Sequence, residues 1–396
     1  MRIAADDAAR GGLPALFTQG FRPFFLAAGL WASIALAIWI VIFAMGTALP
    51  SRFDPLSWHI HEMLFGFVMA AVAGFLLTAI PNWTHRLPVG GAPLAFLAGL
   101  WLLGRLACLV SALVPPWLAV AADLSFPVIF VGVIAREIVA GKNWRNLPMV
   151  APVTVLGIAN LLMHLEAYGV AVPAGLGWRL GVTAVVVLIS VVAGRIVPSF
   201  TRNWLAKRRD SNLPAVHGRI DRIALGVLHT GLLGWAVFPA VRLVGLVLVL
   251  GAFLNLWRVL RWRGGATAAE PLLLFLHIGY AWLVMGTAFL GLAALGVNLP
   301  ESAAIHALTV GAASTMILAV MTRATRGHTG RDQTADRRTS AIYVLITLAA
   351  ISRVAAEFAG GWLMPLLVVA AAFWIGSFGL FLLSYGPMLL GPRGPH

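Results

Sequence analysis

The sequence predicts an all-α, polytopic integral membrane protein with about twelve transmembrane helices and both termini in the cytoplasm. Three observations predict it. The 396 residues are 60% hydrophobic and only 11% charged, and the mean hydropathy is +0.92, far above the level of a soluble domain. The apolar residues fall in separate runs of about 20, the length a helix needs to cross a bilayer core of about 30 Å. Basic residues concentrate in alternate connections between these runs, the pattern that sets membrane orientation.

Scanning at bilayer length places the spans at Phe24 to Met45, Leu56 to Ile80, Pro93 to Leu113, Trp117 to Arg136, Leu147 to Ala167 and Trp178 to Val197. After a basic loop from Pro198 to Gly218 come Ile220 to Phe238, Val241 to Val259, Pro271 to Leu295, Ser302 to Thr322, Ser340 to Phe358 and Trp362 to Tyr385. That loop divides the spans six and six, but no residue-level repeat crosses it. The chain reads as a single transmembrane domain, 1–396, with a short polar N-terminal segment, 1–20, and no removed signal peptide.

One set of loops holds Arg2, Arg10, Arg86, Lys142, Arg145, Arg202, Lys207, Arg208, Arg209, Arg219, Arg261, Arg263, Arg326, Arg331, Arg337 and Arg338. The other holds little beyond Arg52 and Arg242. The richer set faces the cytoplasm by the positive-inside rule. The formal charge of +14 therefore reflects orientation in a lipid bilayer, and no nucleic-acid partner is expected. The single cysteine, Cys108, lies in an apolar run, which excludes an intrachain disulfide, a Cys-x-x-Cys pair and covalent haem attachment.

Polar groups inside spans are costly and mark function. Trp58-His59-Ile60-His61-Glu62-Met63 opens the second span with two imidazoles, a carboxylate and a thioether. With this orientation His59 and His61, His164 at the end of the fifth span and His306 at the start of the tenth share one depth near the outer surface. Helical spacing puts His59, Glu62, Met63 and Gly66 on one stripe and His61 with Trp58 and Phe65 on another, about 200° apart. The two histidines therefore serve one metal only if the chain is uncoiled there. The expected metal ligands are His59, His61, His164 and His306, with Glu62 behind them as a partner that fixes an imidazole tautomer or donates a proton. Imidazole suits haem iron, copper and zinc alike.

A second group lies toward the cytoplasm: His277 in the ninth span, His85 and Arg86 after the second, Arg195, Arg202 and Trp204 at the sixth, and Arg323, Arg326 and His328 at the tenth. His277 is a candidate axial ligand there, with Arg202, Arg323 and His328 as candidate holders of haem carboxylates. Arg105 and Asp123 should pair across the hairpin of the third and fourth spans, and Arg353 with Glu357 one turn apart. His229 reads as structural, and His217 and His396 as solvent residues.

Several motifs resemble the NnrS family: Phe21-Arg22-Pro23-Phe24-Phe25, Trp58 to Phe67, Pro81-Asn82-Trp83, Arg195-Ile196-Val197-Pro198 and Thr201-Arg202-Asn203. Further matches follow in order at His277 to Trp282, His306 to Gly311 and Gly327 to Arg331. The resemblance implies a twelve-helix protein of the bacterial inner membrane containing haem, non-covalent and so of b type, and copper. It also implies a link to nitric oxide from denitrification or nitrosative stress, with nitric oxide or an iron-nitrosyl species as ligand. His59, His61, His277, His306 and His328 are the histidines carried over by motif. The electron donor and any catalysed reaction stay open. Two other classes compete: a secondary transporter of a metal or haem-related species, and a membrane nitric oxide reductase-like enzyme. The first would show midplane charges or broken helices at matching positions of two halves, and the second adjacent His-His pairs and proton-channel acids. Neither is evident.

Overall fold

The computed structural model describes residues 14–215 and 217–393. Arg2, Arg10, His396 and most of the polar N-terminal segment lie outside the described residues. Among the described residues there is no strand, and twelve helices are long and apolar enough to cross a membrane. They are α1 (Phe21–Met45), α2 (Pro55–Thr84), α3 (Ala92–Leu109), α4 (Pro116–Ala140), α5 (Trp144–Ala167), α6 (Leu176–Lys207), α7 (Arg219–Val237), α8 (Arg242–Leu260), α9 (Pro271–Ala294), α10 (Glu301–His328), α11 (Arg337–Ala356) and α12 (Gly360–Leu390). The chain is thus a multi-pass membrane protein.

Local chemistry sets the helix ends. Gly46 closes α1 in the left-handed conformation. Asp54 caps α2 by accepting from the backbone N–H groups of Leu56 and Ser57, with Pro55 in the first turn. Glu270 and Asp336 cap α9 and α11 in the same way.

Two helices run beyond their predicted ends. α6 continues from Val197 to Lys207 straight through Pro198, so the expected dividing loop is half helix. α10 reaches His328. The cause is amphipathicity: once outside the apolar run, each extension keeps buried positions, Thr201 and Leu205 in α6 and Thr325 in α10.

The helices arrange in fours rather than sixes. In α2, α6 and α10 the buried share is 72%, 67% and 67%, against 33–56% in the other nine. These three touch one another, and the rest surround them through the neighbours α12–α1, α3–α4–α5, α7–α8–α9 and α11–α12. Every fourth helix is therefore central, and the outer helices fall into three arcs around the centre, α3–α5, α7–α9 and α11–α12 with α1.

Two of the inner helices share a further irregularity. A π-helical stretch runs from Glu62 to Val68 directly after His61, and another from Ala307 to Ser314 directly after His306. Such wide turns often mark functional positions. Each contains a glycine five residues past its histidine. A Cβ on Gly66 would collide with Trp31 Nε1, and one on Gly311 would lie 2.6 Å from the Trp282 ring. A tryptophan therefore packs on the backbone of each wide turn, and Trp101 Nε1 donates to the Gly66 carbonyl at 3.0 Å.

Candidate functional site

Where α2 widens, its His61 face meets α3, α4 and α5. The His61 ring is fully buried. Its Nδ1 lies 3.0 Å from Glu62 Oε1, and its Nε2 lies 2.9 Å from Asn160 Oδ1 and 3.1 Å from Asp123 Oδ2. His164 Nε2 approaches the same Asp123 oxygen at 3.0 Å. Arg105 donates to both Glu62 oxygens at 2.8 Å and to Asp123 Oδ1. Trp31 Nε1 donates to Glu62 Oε2 at 2.8 Å.

Two carboxylates thus face one guanidinium and two imidazoles. One imidazole proton balances the formal charge, and pairing of this kind is the condition for keeping charge in a bundle interior. A bound cation could supply the same charge. The geometry suits one: ligand atoms of His61, Cys108, Asp123 and His164 all lie within 4.8 Å of one another, and all four residues are buried. His164 Nδ1 is buried with no hydrogen-bond partner among the described residues.

The opposite face of α2 points elsewhere, as the helical spacing predicts. His59 stacks on Trp39 of α1 at 4.7 Å between ring centroids. Its nearby titratable groups are His306 of α10 and Arg353 of α11. His59 Nδ1 is buried without a hydrogen-bond partner among the described residues. His306 Nδ1 lies 2.7 Å from the Ser302 carbonyl, so it carries the proton and leaves the Nε2 lone pair free. Ser302 Oγ donates to Glu357 Oε1 at 2.8 Å and receives Arg353 Nη2 at 3.2 Å. The four expected ligands therefore divide into His61 with His164 and His59 with His306.

The opposite end of the bundle separates the other expected residues. Arg323 and His328 line a cavity between α2, α6 and α10. His277 lies beside Trp262 and Gly264 instead, with Nε2 2.9 Å from Thr201 Oγ1 and Nδ1 unpartnered among the described residues. Arg202, His85 and His217 are exposed. His229 Nε2 meets Ser190 Oγ at 2.8 Å, a bond between helices that accounts for a lone half-buried imidazole.

The expected ion pairs Arg105–Asp123 and Arg353–Glu357 both form, but the first does more than hold a hairpin, since Asp123 also bridges the two histidines. Sequence reasoning gave no role to Cys108, which it placed in apolar packing. The available signal was its position three residues after Arg105, on the same helix face.

A family model described as NnrS protein matches residues 15–393. A search of curated proteins finds no match. The family match supports a role in the nitric oxide response. Matched over nearly its whole length, the chain belongs to the NnrS family.

Proposed function

We propose that this chain is a bacterial inner-membrane protein that binds copper and non-covalent haem, and that it takes up nitric oxide or an iron-nitrosyl species. The observation that carries the proposal is the buried group of His61, Cys108, Asp123 and His164 with its ligand atoms inside 4.8 Å. Imidazole and thiolate donors suit copper, and Glu62, on the far nitrogen of His61, is the partner that orients a metal-binding ring. The donors on the other face, His59 and His306, suit haem iron: one has an orphaned ring nitrogen and the other a tautomer fixed by a backbone carbonyl. His59 and His306 would hold the haem, and the His61 group would hold the copper ion at which nitric oxide or its iron-nitrosyl species is taken up. A copper ion with an open position would supply the ligand-binding chemistry there. Arg105 and Asp123 would hold charge balance around it, and the buried walls would exclude water.

Metal analysis and an optical spectrum of the purified protein, before and after exposure to nitric oxide, test this reading. His61→Ala should lose copper and keep the haem absorbance, and His306→Ala should do the reverse. A purified protein without a Soret band and without copper sinks the proposal.

A further inference from the structure

The connection between α1 and α2, residues 46–54, is an irregular strap at the end of the bundle opposite the arginine-rich loops. Gly46, Thr47, Ala48 and Pro50 are exposed, and so are Arg52 and Asp54. Between the last two, Phe53 turns inward and keeps only 5% of its surface exposed. Its ring centroid lies 4.6 Å from that of His61 and 5.0 Å from that of His164. One phenyl ring therefore covers both imidazoles of the candidate metal group and stands between them and the exposed strap. On the inward side the group is closed by the buried pair of Arg105 with Glu62 and by Phe65, which packs on His61 at 5.0 Å.

The strap is held to the end of α3 by a few bonds. Ser51 Oγ donates to the Cys108 carbonyl at 2.9 Å, the Arg52 backbone N–H donates to Ser111 Oγ at 2.9 Å, and Arg52 Nε donates to the Ser111 carbonyl at 3.1 Å. The Arg52 guanidinium also lies over the Tyr168 ring at 5.7 Å, and Tyr168 stacks on His164 at 6.1 Å. A segment tied this sparsely opens locally at less cost than unfolding the helices below it. While it is closed, an apolar ring in a narrow passage excludes water and ions. We propose that Phe53 is an access gate, with Arg52 as its latch: the His61 group exchanges with water at this end of the bundle through local opening of the strap, and small neutral molecules pass more readily than ions. That the traffic is copper or nitric oxide rests on the function proposed above. The closure does not, because it is a property of the polypeptide around Cys108.

Cys108 is the only cysteine in the chain and its thiol belongs to the covered group, so its reactivity reports access. The full-length protein in detergent, as purified and after copper chelation, is reacted with neutral methyl methanethiosulfonate and with the cationic trimethylammonium-ethyl methanethiosulfonate. Scaled to their rates with a free thiol in solution, the neutral reagent should modify wild-type Cys108 about tenfold faster than the cation. Phe53→Ala should raise the rate of the cation about tenfold and narrow that gap. Arg52→Gln should raise it by a smaller factor, and provides the reading if Phe53→Ala does not fold. His229→Ala, which loses a hydrogen bond far from the strap, should leave both rates as in wild type. Wild-type rates in Phe53→Ala and Arg52→Gln, or an equal acceleration in His229→Ala, overturn the gate. Faster loss of copper to a chelator in Phe53→Ala would tie the gate to the copper site. A protein that holds no copper defeats the copper reading alone and leaves the thiol rates to decide the gate.

Discussion

Two arginines are buried in this bundle to nearly the same degree, Arg105 at 2% exposure and Arg258 at 0%, yet their surroundings differ in kind. Arg258 of α8 donates from Nε to Asp221 at 3.0 Å, and from Nη1 to the Tyr280 hydroxyl at 2.6 Å and the Ser190 carbonyl at 3.3 Å. Tyr280 donates on to Asn255 at 2.7 Å, and Asn255 ends the chain on backbone carbonyls of α7 and α8. A Cβ on Gly194 would collide with the Arg258 guanidinium, so α6 passes against it with no side chain between. This is a network that locks helices α6 to α9 together. Around Arg105 the same ion-pair chemistry ends on imidazoles and a thiol rather than on backbone. A buried guanidinium therefore marks a fixed helix contact, and the spare donor atoms beside it mark a site.

That contrast can be broken by substitution. The largest effect is expected at Arg258→Ala, which removes the donor shared by Asp221, Tyr280 and Ser190, leaves Asp221 only the longer pair with Arg261 at 3.5 Å, and should cost about 3 kcal/mol. It would appear as a lower thermal midpoint in detergent with copper content unchanged. Cys108→Ser should do the opposite: little change in the midpoint, and copper affinity lowered by about ten- to a hundredfold, a loss of about 1.4–2.7 kcal/mol. Equal copper affinity in wild type and Cys108→Ser would remove the thiol from the site and leave a three-donor group. The smallest effect is expected at His229→Ala, where one helix-to-helix hydrogen bond to Ser190 is lost. About 1 kcal/mol of stability and no change in metal content should follow, and a loss of copper there would erase the distinction between the two networks.

The second span shows how far the residues could be read without coordinates. Its apolar length located the helix, and a spacing of two residues placed His59 and His61 on different faces. Both features are present, with His61 turned to Asp123 and His164 and His59 turned to Trp39 and α10. The wide π turns after His61 and His306 carry no residue signature that separates them from regular helix. At each of them a tryptophan from another helix, Trp31 of α1 or Trp282 of α9, packs on the glycine of the turn, a contact that the span's own residues do not announce. Cys108 was hidden for a related reason. A lone cysteine in an apolar run has the composition of packing, and only Asp123 and His164, 15 and 56 residues further on, give it company.

The sequence by itself determined the twelve spans, their helical character, the capping residues and the existence of intramembrane histidines. Each of these follows from local hydrophobicity, a local period or a local hydrogen bond. Tertiary structure decided which helices stand at the centre, how the histidines pair, and which charged groups are answered within the chain. Those outcomes depend on contacts between helices four or more spans apart, such as α2 with α10 and α12 with α1. In a bilayer such contacts are selected by close packing of small residues and by polar groups seeking partners, neither of which has a period that a single helix can reveal.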